Sequence, residues 1–104
     1  DSKLAVFDSF GNAAIRGNLT ENTTGVNDGN DFMVQDPDGI INMLITNPEG
    51  NMLMRGFLNE NQSSLVPGIN SFVVQNSLGD AVAYVDANGS LFLKGVIEEN
   101  AAFG

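Results

Sequence analysis

The side chains best equipped for chemistry are the carboxylates. Asp36-Pro37-Asp38-Gly39 and Asp86-Ala87-Asn88-Gly89 space oxygen donors much as a calcium loop begins, and Glu98-Glu99 together with Glu60 offers a pair for acid/base work. A calcium loop needs several oxygen ligands at fixed offsets, closed by a bidentate carboxylate. Neither stretch supplies that, and both are ordinary turn sequences. The chain has no histidine and no cysteine, which removes the commonest general base and the most readily activated nucleophile. Glu21, Glu60 and Glu99 recur at a constant interval of 39 residues, as structural residues do. An active site would break such a repeat at one place. The expectation is therefore no catalytic residue, no metal site, no cofactor and no enzymatic activity.

The elements that position these residues are copies of one unit. Residues 72–100 read FVVQNSLGDAVAYVDANGSLFLKGVIEEN, and residues 32–61 read FMVQDPDGIINMLITNPEGNMLMRGFLNEN. Residues 4–22, LAVFDSFGNAAIRGNLTEN, match only the later part. Gly11, Gly50 and Gly89 correspond, as do Gly17, Gly56 and Gly95, and Asn22, Asn61 and Asn100. No linker separates the copies, so the chain reads as one β domain, 1–104, made of a truncated copy (1–30), a second copy (31–70) and a third (71–104).

Each full unit contains three short apolar runs bounded by Gly, Asn, Asp and Pro, the signature of strands. The first is 32–35, repeated at 72–75. The second is 43–46, matched to 82–85 and to 4–7. The third is 52–58, matched to 91–97 and 13–19. Met52, Met54 and Leu58, with Leu91, Leu93, Ile97 and Ala13, Ile15, Leu19, fall on one face and define the core. Asp or Asn three residues before Gly in FDSFGN, TNPEGN and VDANGS predicts a tight antiparallel hairpin closed by a left-handed glycine. Gly at the 56-type position predicts a bulge or a close backbone approach. The expected fold is all-β, an antiparallel sandwich of about eight short strands, with a β-solenoid as the alternative.

Composition narrows the partners. The net charge is −9 with only four basic residues, which disfavours nucleic acid and anionic membranes. No apolar run reaches the roughly 20 residues of a membrane helix, so no membrane insertion is expected. The chain opens at Asp1 inside a repeat, which predicts a processed terminus. Three of the four cations, Arg16, Arg55 and Lys94, share a register five residues before Glu21, Glu60 and Glu99. Side by side, like charges repel unless they alternate with acids, within the domain or on a neighbour. Asn18, Asn22, Asn61 and Asn88 each begin an Asn-x-Ser/Thr sequon, the acceptor for N-glycans on an exported protein.

The first copy lacks a counterpart of 32–35 and 72–75. Two readings follow: a terminal repeat trimmed as a cap, or an open strand edge that receives a strand from another chain.

The motif VAYVDANGSLFLKG resembles repeats of secreted bacterial and archaeal surface proteins and tail-fibre-like proteins, in which an Asp-x-x-Gly turn precedes an apolar strand ending in Lys-Gly or Arg-Gly. The acidic, cysteine-free, Asn-rich, repeat-built character is similar to that of subunits of extracellular pilus-like filaments assembled by donor-strand complementation. The resemblance implies a secreted structural protein of the cell surface that forms a homopolymer by strand addition and apolar burial. On that expectation the contact residues are Leu4, Val6 and Phe7 at one end and Val96, Ile97 and Phe103 at the other. A carbohydrate- or surface-binding adhesin module, with surface glycans as partners, and a trimeric fibre shaft segment are the alternatives.

Overall fold

The computed structural model describes residues 3–24 and 32–103. The first unit contains β1 (Ala5–Phe7), β2 (Ala13–Ile15) and β3 (Leu19–Thr20). The second contains β4 (Phe32–Gln35), β5 (Ile41–Ile45), β6 (Met52–Met54) and β7 (Leu58–Asn59). The third contains β8 (Phe72–Gln75), β9 (Ala81–Val85), β10 (Leu91–Leu93) and β11 (Ile97–Glu98). The described residues are all-β, with three sheets in the orders β1-β2-β11, β3-β6-β5-β4 and β7-β10-β9-β8.

The predicted hairpins form: β1 with β2, β5 with β6 and β9 with β10 are antiparallel. The eight expected strands become eleven because the third run of each unit breaks at its glycine. At Gly17, Gly56 and Gly95 the backbone passes so close to the next hairpin that a Cβ would overlap the side chains of Asn51, Ser90 and Asn12. The N–H of Gly17 donates to the carbonyl of Gly50 (3.0 Å), that of Gly56 to Gly89 (3.1 Å) and that of Gly95 to Gly11 (3.1 Å). Having crossed, the chain leaves its own sheet and joins the next. β3 lies parallel to β6, β7 to β10, and β11 to β2. The sheets are thus mixed rather than purely antiparallel. The third unit pairs back onto the first, so the copies close in a ring instead of stacking open-ended.

The core is the face expected from the alternation. Ala13, Ile15, Met52, Met54, Leu91 and Leu93 are fully or almost fully buried, joined by Met43, Ile45, Ala83 and Val85. Leu19, Leu58 and Ile97 are half-buried against this cluster. Asn42 is a buried polar residue, and its side-chain amide donates to the Ala87 carbonyl at 3.1 Å, which offsets its desolvation.

One equivalence differs from the sequence alignment. Pairing makes Met43 the counterpart of Ala83, since each stands opposite the third run at Met54 and Leu93. The offset before the turn is therefore 40 rather than 39. The physical reason is the second turn. Asp8 N–H bonds to the Asn12 carbonyl and Asp86 N–H to the Ser90 carbonyl, whereas Thr46 N–H reaches Asn51, one residue further along. The extra residue lies in a loop with a cis Asn47–Pro48 bond, and Thr46 rather than Asn47 takes the turn-opening role.

Glycine is required at the hairpin turns for two separable reasons. Gly89 and Gly39 both have φ of +83°. A Cβ at Gly89 would meet the Asn42 carbonyl at 2.8 Å and the Arg55 Cβ at 2.9 Å, while one at Gly39 meets nothing within 4 Å. Gly39→Ala should cost about 1–2 kcal/mol for the left-handed backbone alone. Gly89→Ala should cost roughly 1–3 kcal/mol more from overpacking. Urea unfolding of the two variants checks the order, and equal costs would refute the close-approach account.

Candidate functional site

Three features contain the candidate residues: the outer edge of β1, the seams between units, and the hairpin turns. At the β1 edge, Arg16 N–H donates to the Leu4 carbonyl and Asp8 N–H to the Asn12 carbonyl. These bonds turn the peptide groups of Leu4, Val6 and Asp8 toward β2. The N–H and C=O groups of Ala5 and Phe7 then face away from it, following the alternation of an antiparallel ladder. The counterparts of β1 have two partners each: β5 lies between β4 and β6, and β9 between β8 and β10. Among the described residues β1 pairs with β2 alone.

Beside that edge lies a cleft of about 380 Å³ lined by Leu4, Ala5, Phe7, Phe32 and Ile45. Every lining residue is apolar. Leu4, Ala5 and Phe7 are half-buried and pack against the core, while Val6 faces outward. On the far wall Phe32 meets Phe72 edge-on, with centroids 6.0 Å apart and planes at 69°, a favourable aromatic arrangement.

Val96, Ile97 and Phe103 are placed differently from the expectation of a second contact end. Val96 N–H donates to Asn12 Oδ1 (2.9 Å), its carbonyl accepts from Ala13 N–H (3.0 Å), and Ile97 pairs with Ala13. The backbone of Val96 and Ile97 is engaged in closing the ring within the same chain. Only the Val96 side chain remains exposed, and Phe103 is half-buried. Sequence alternation shows that this stretch is apolar, but not that its partner is residues 84 positions back.

The charge ladder is also resolved differently. Each glutamate accepts a backbone N–H from the next unit. Leu58 donates to Glu21 Oε2 (2.7 Å), Ile97 to Glu60 Oε2 (2.9 Å) and Leu19 to Glu99 Oε2 (2.7 Å). Asn22, Asn61 and Asn100 take left-handed φ of 52°, 58° and 54°, and their N–H groups reach the carbonyls of Gly56, Gly95 and Gly17. The Cβ atoms of Arg16, Arg55 and Lys94 lie against Gly50, Gly89 and Gly11. The repeated Glu and Asn are therefore seam residues, and the basic residues stand beside the turn glycines.

The aspartate turns are self-satisfied. Asp36 Oδ1 accepts from Asp38 and Ile40, and Asp86 Oδ1 from Asn88 and Ser90. Neutral Asn76 makes the same pair of bonds with Leu78 and Asp80, so the geometry needs no charge and no cation. No group of three acidic side chains that could hold a metal occurs among the described residues. All four sequon asparagines, Asn18, Asn22, Asn61 and Asn88, are exposed. Asn18 Oδ1 accepts from Asn100 Nδ2 at 3.0 Å. No helix among the described residues is long and apolar enough to cross a membrane. No family model, curated protein or solved structure matches the chain.

Two outcomes follow from these bonds. Glu99→Ala should lower stability by about 1 kcal/mol and accelerate hydrogen exchange at the Leu19 amide while leaving exchange at Met43 nearly unchanged; unaltered Leu19 exchange would refute the seam role. Asp8 concerns pH. Its carboxyl is held below the ordinary range chiefly by the Asn12 N–H, against the opposing effect of burial, with help from the Asn12 amide and the Phe10 N–H. A depressed folded pKa gives stability that is present above the unfolded value of about 3.9 and lost as pH falls through the folded one. Asp8→Asn should preserve the turn, as Asn76 does, and flatten the stability loss below about pH 4, read by thermal melts across pH.

Proposed function

We propose that the chain is a structural subunit of an extracellular, cell-surface filament, assembling by strand addition at the open edge of β1 with burial of apolar side chains in the adjoining cleft. The observation that carries this reading is that the Ala5 and Phe7 peptide groups, which have no strand partner among the described residues, lie beside a cleft lined by apolar side chains. An unprotected edge is a template for pairing with another chain, and such pairing supplies main-chain hydrogen bonds for affinity and side-chain pockets for specificity. The remaining polar repeats are engaged in seams and turns, which fits a structural role. N-glycans at the exposed Asn22, Asn61 and Asn88 suit an exported polymer.

The alternatives draw less support. A sugar site needs an open aromatic platform, and Tyr84 is stacked on Phe92 at 4.6 Å and 13°, so each ring covers a face of the other. A trimeric shaft gains its core by joining three chains. Here three units of one chain already fill that core.

Negative-stain microscopy and sedimentation velocity test the proposal. The expected result is open-ended polymers whose mean mass grows with concentration. Ala5→Asp, which places a charge in the cleft, should suppress them while leaving exchange protection at Met52 and Met54 intact. A single 11.0 kDa species at every concentration would overturn the filament reading.

A further inference from the structure

We infer that the strand received at β1 is an extended segment running antiparallel to β1, with large apolar residues at its first and third positions and a polar residue at its fourth. This deepens the strand-addition reading of the same edge, and rests on it only in using that edge. The molecule carries two examples of the required partner. In β4, Phe32 stands opposite Ile45 and Val34 opposite Met43. In β8, Phe72 stands opposite Val85 and Val74 opposite Ala83. Both strands then shift register at a bulge and place a glutamine, Gln35 or Gln75, opposite Ile41 or Ala81. Pairing of the third runs makes Phe7 the counterpart of Ile45 and Val85, and Ala5 the counterpart of Met43 and Ala83.

The same register carried to β1 fixes the occupant. Its first residue faces Phe7, its second lies beside outward-facing Val6, its third faces Ala5, and its fourth meets exposed Lys3 after the bulge. The third position has most to fill. Ala5 is short where Met43 is long, and the cleft opens at that point between Ala5 and Ile45. The occupant is thus an apolar-x-Val-polar segment of the Phe-x-Val-Gln kind. Its inward side chains enter the cleft, and its backbone takes the groups of Ala5 and Phe7 that face away from β2. A strand of alternate polarity in the opposite phase would put polar side chains into that cleft, and the period of two makes a one-residue slip equally unfavourable.

The probe is a synthetic peptide with the sequence of residues 70–79, NSFVVQNSLG, added to the intact chain and followed by amide exchange. Binding in this register should slow exchange at Ala5 and Phe7 at least about tenfold, with little change at Val6, which already pairs with β2. A peptide carrying Asp at the positions of Phe72 and Val74 should give no protection. Attaching residues 70–78 ahead of residue 1 supplies the same strand in cis. It should raise Tm and abolish peptide binding. Equal protection by the Asp peptide, or none by either peptide at millimolar concentration, would overturn the inference. The two readings separate cleanly. Peptide protection of a chain that stays monomeric keeps this inference and removes the filament. Filaments whose growth is indifferent to excess peptide, with Ala5 and Phe7 unprotected, do the reverse.

Discussion

The close crossing of Gly17, Gly56 and Gly95 beneath the neighbouring hairpin turn governs the rest of the structure. Because a backbone without a Cβ lies against another backbone there, each unit can hand its last two strand residues to the next sheet. A side chain at any of the three would separate the seam and leave Leu19, Leu58 or Ile97 short of the core. The parallel pairings that result are only two residues long. Strands that short have little stability alone, so the seam is buttressed around them. The glutamate accepts one amide, the left-handed asparagine directs its N–H to the glycine carbonyl, and the next residue returns to the core strand, as Thr23 does to Met54 and Gln62 to Leu93.

The core layers show how inexact copies fill a ring. The paired inward positions are Ala13 and Ile15, Met52 and Met54, and Leu91 and Leu93, all at or near zero exposure. A small residue in the first unit is offset by two methionines in the second, whose unbranched thioethers adapt to irregular space.

Much of the local structure was legible in the residues. Hairpins followed from Asp-x-x-Gly turns, and the core face followed from strict alternation in 13–19, 52–58 and 91–97. The closure was not legible. Leu58 keeps even spacing from Met52, so it reads as a continuation of the same strand, although it pairs with Leu91 of the next unit. Nothing local distinguishes the two. The glutamate repeat was visible, but its spacing from Arg or Lys suggested charge pairing, while its actual partner is a main-chain amide that carries no sequence signal. The turn at 46–51 was misaligned because its glycine and asparagine mimic the shorter turns and conceal one added residue. The open β1 edge and its apolar flank were half visible: the lack of a counterpart to Phe32–Gln35 could be seen, but not the cleft beside it.

Leu19 is joined to Glu99, and Val96 to Asn12, across 80 and 84 residues of chain. No unit completes its own sheet: β3 completes the second unit's and β7 the third's, but the first unit's waits for β11 from the last. Contacts so distant along the polymer carry a large loop-closure entropy before they return enthalpy. A nascent chain emerging from a ribosome would therefore hold its first sheet, β1-β2-β11, unfinished until residues 96–101 appear. Its folding should be late, slow and concerted, with the C-terminal segment acting as the clasp.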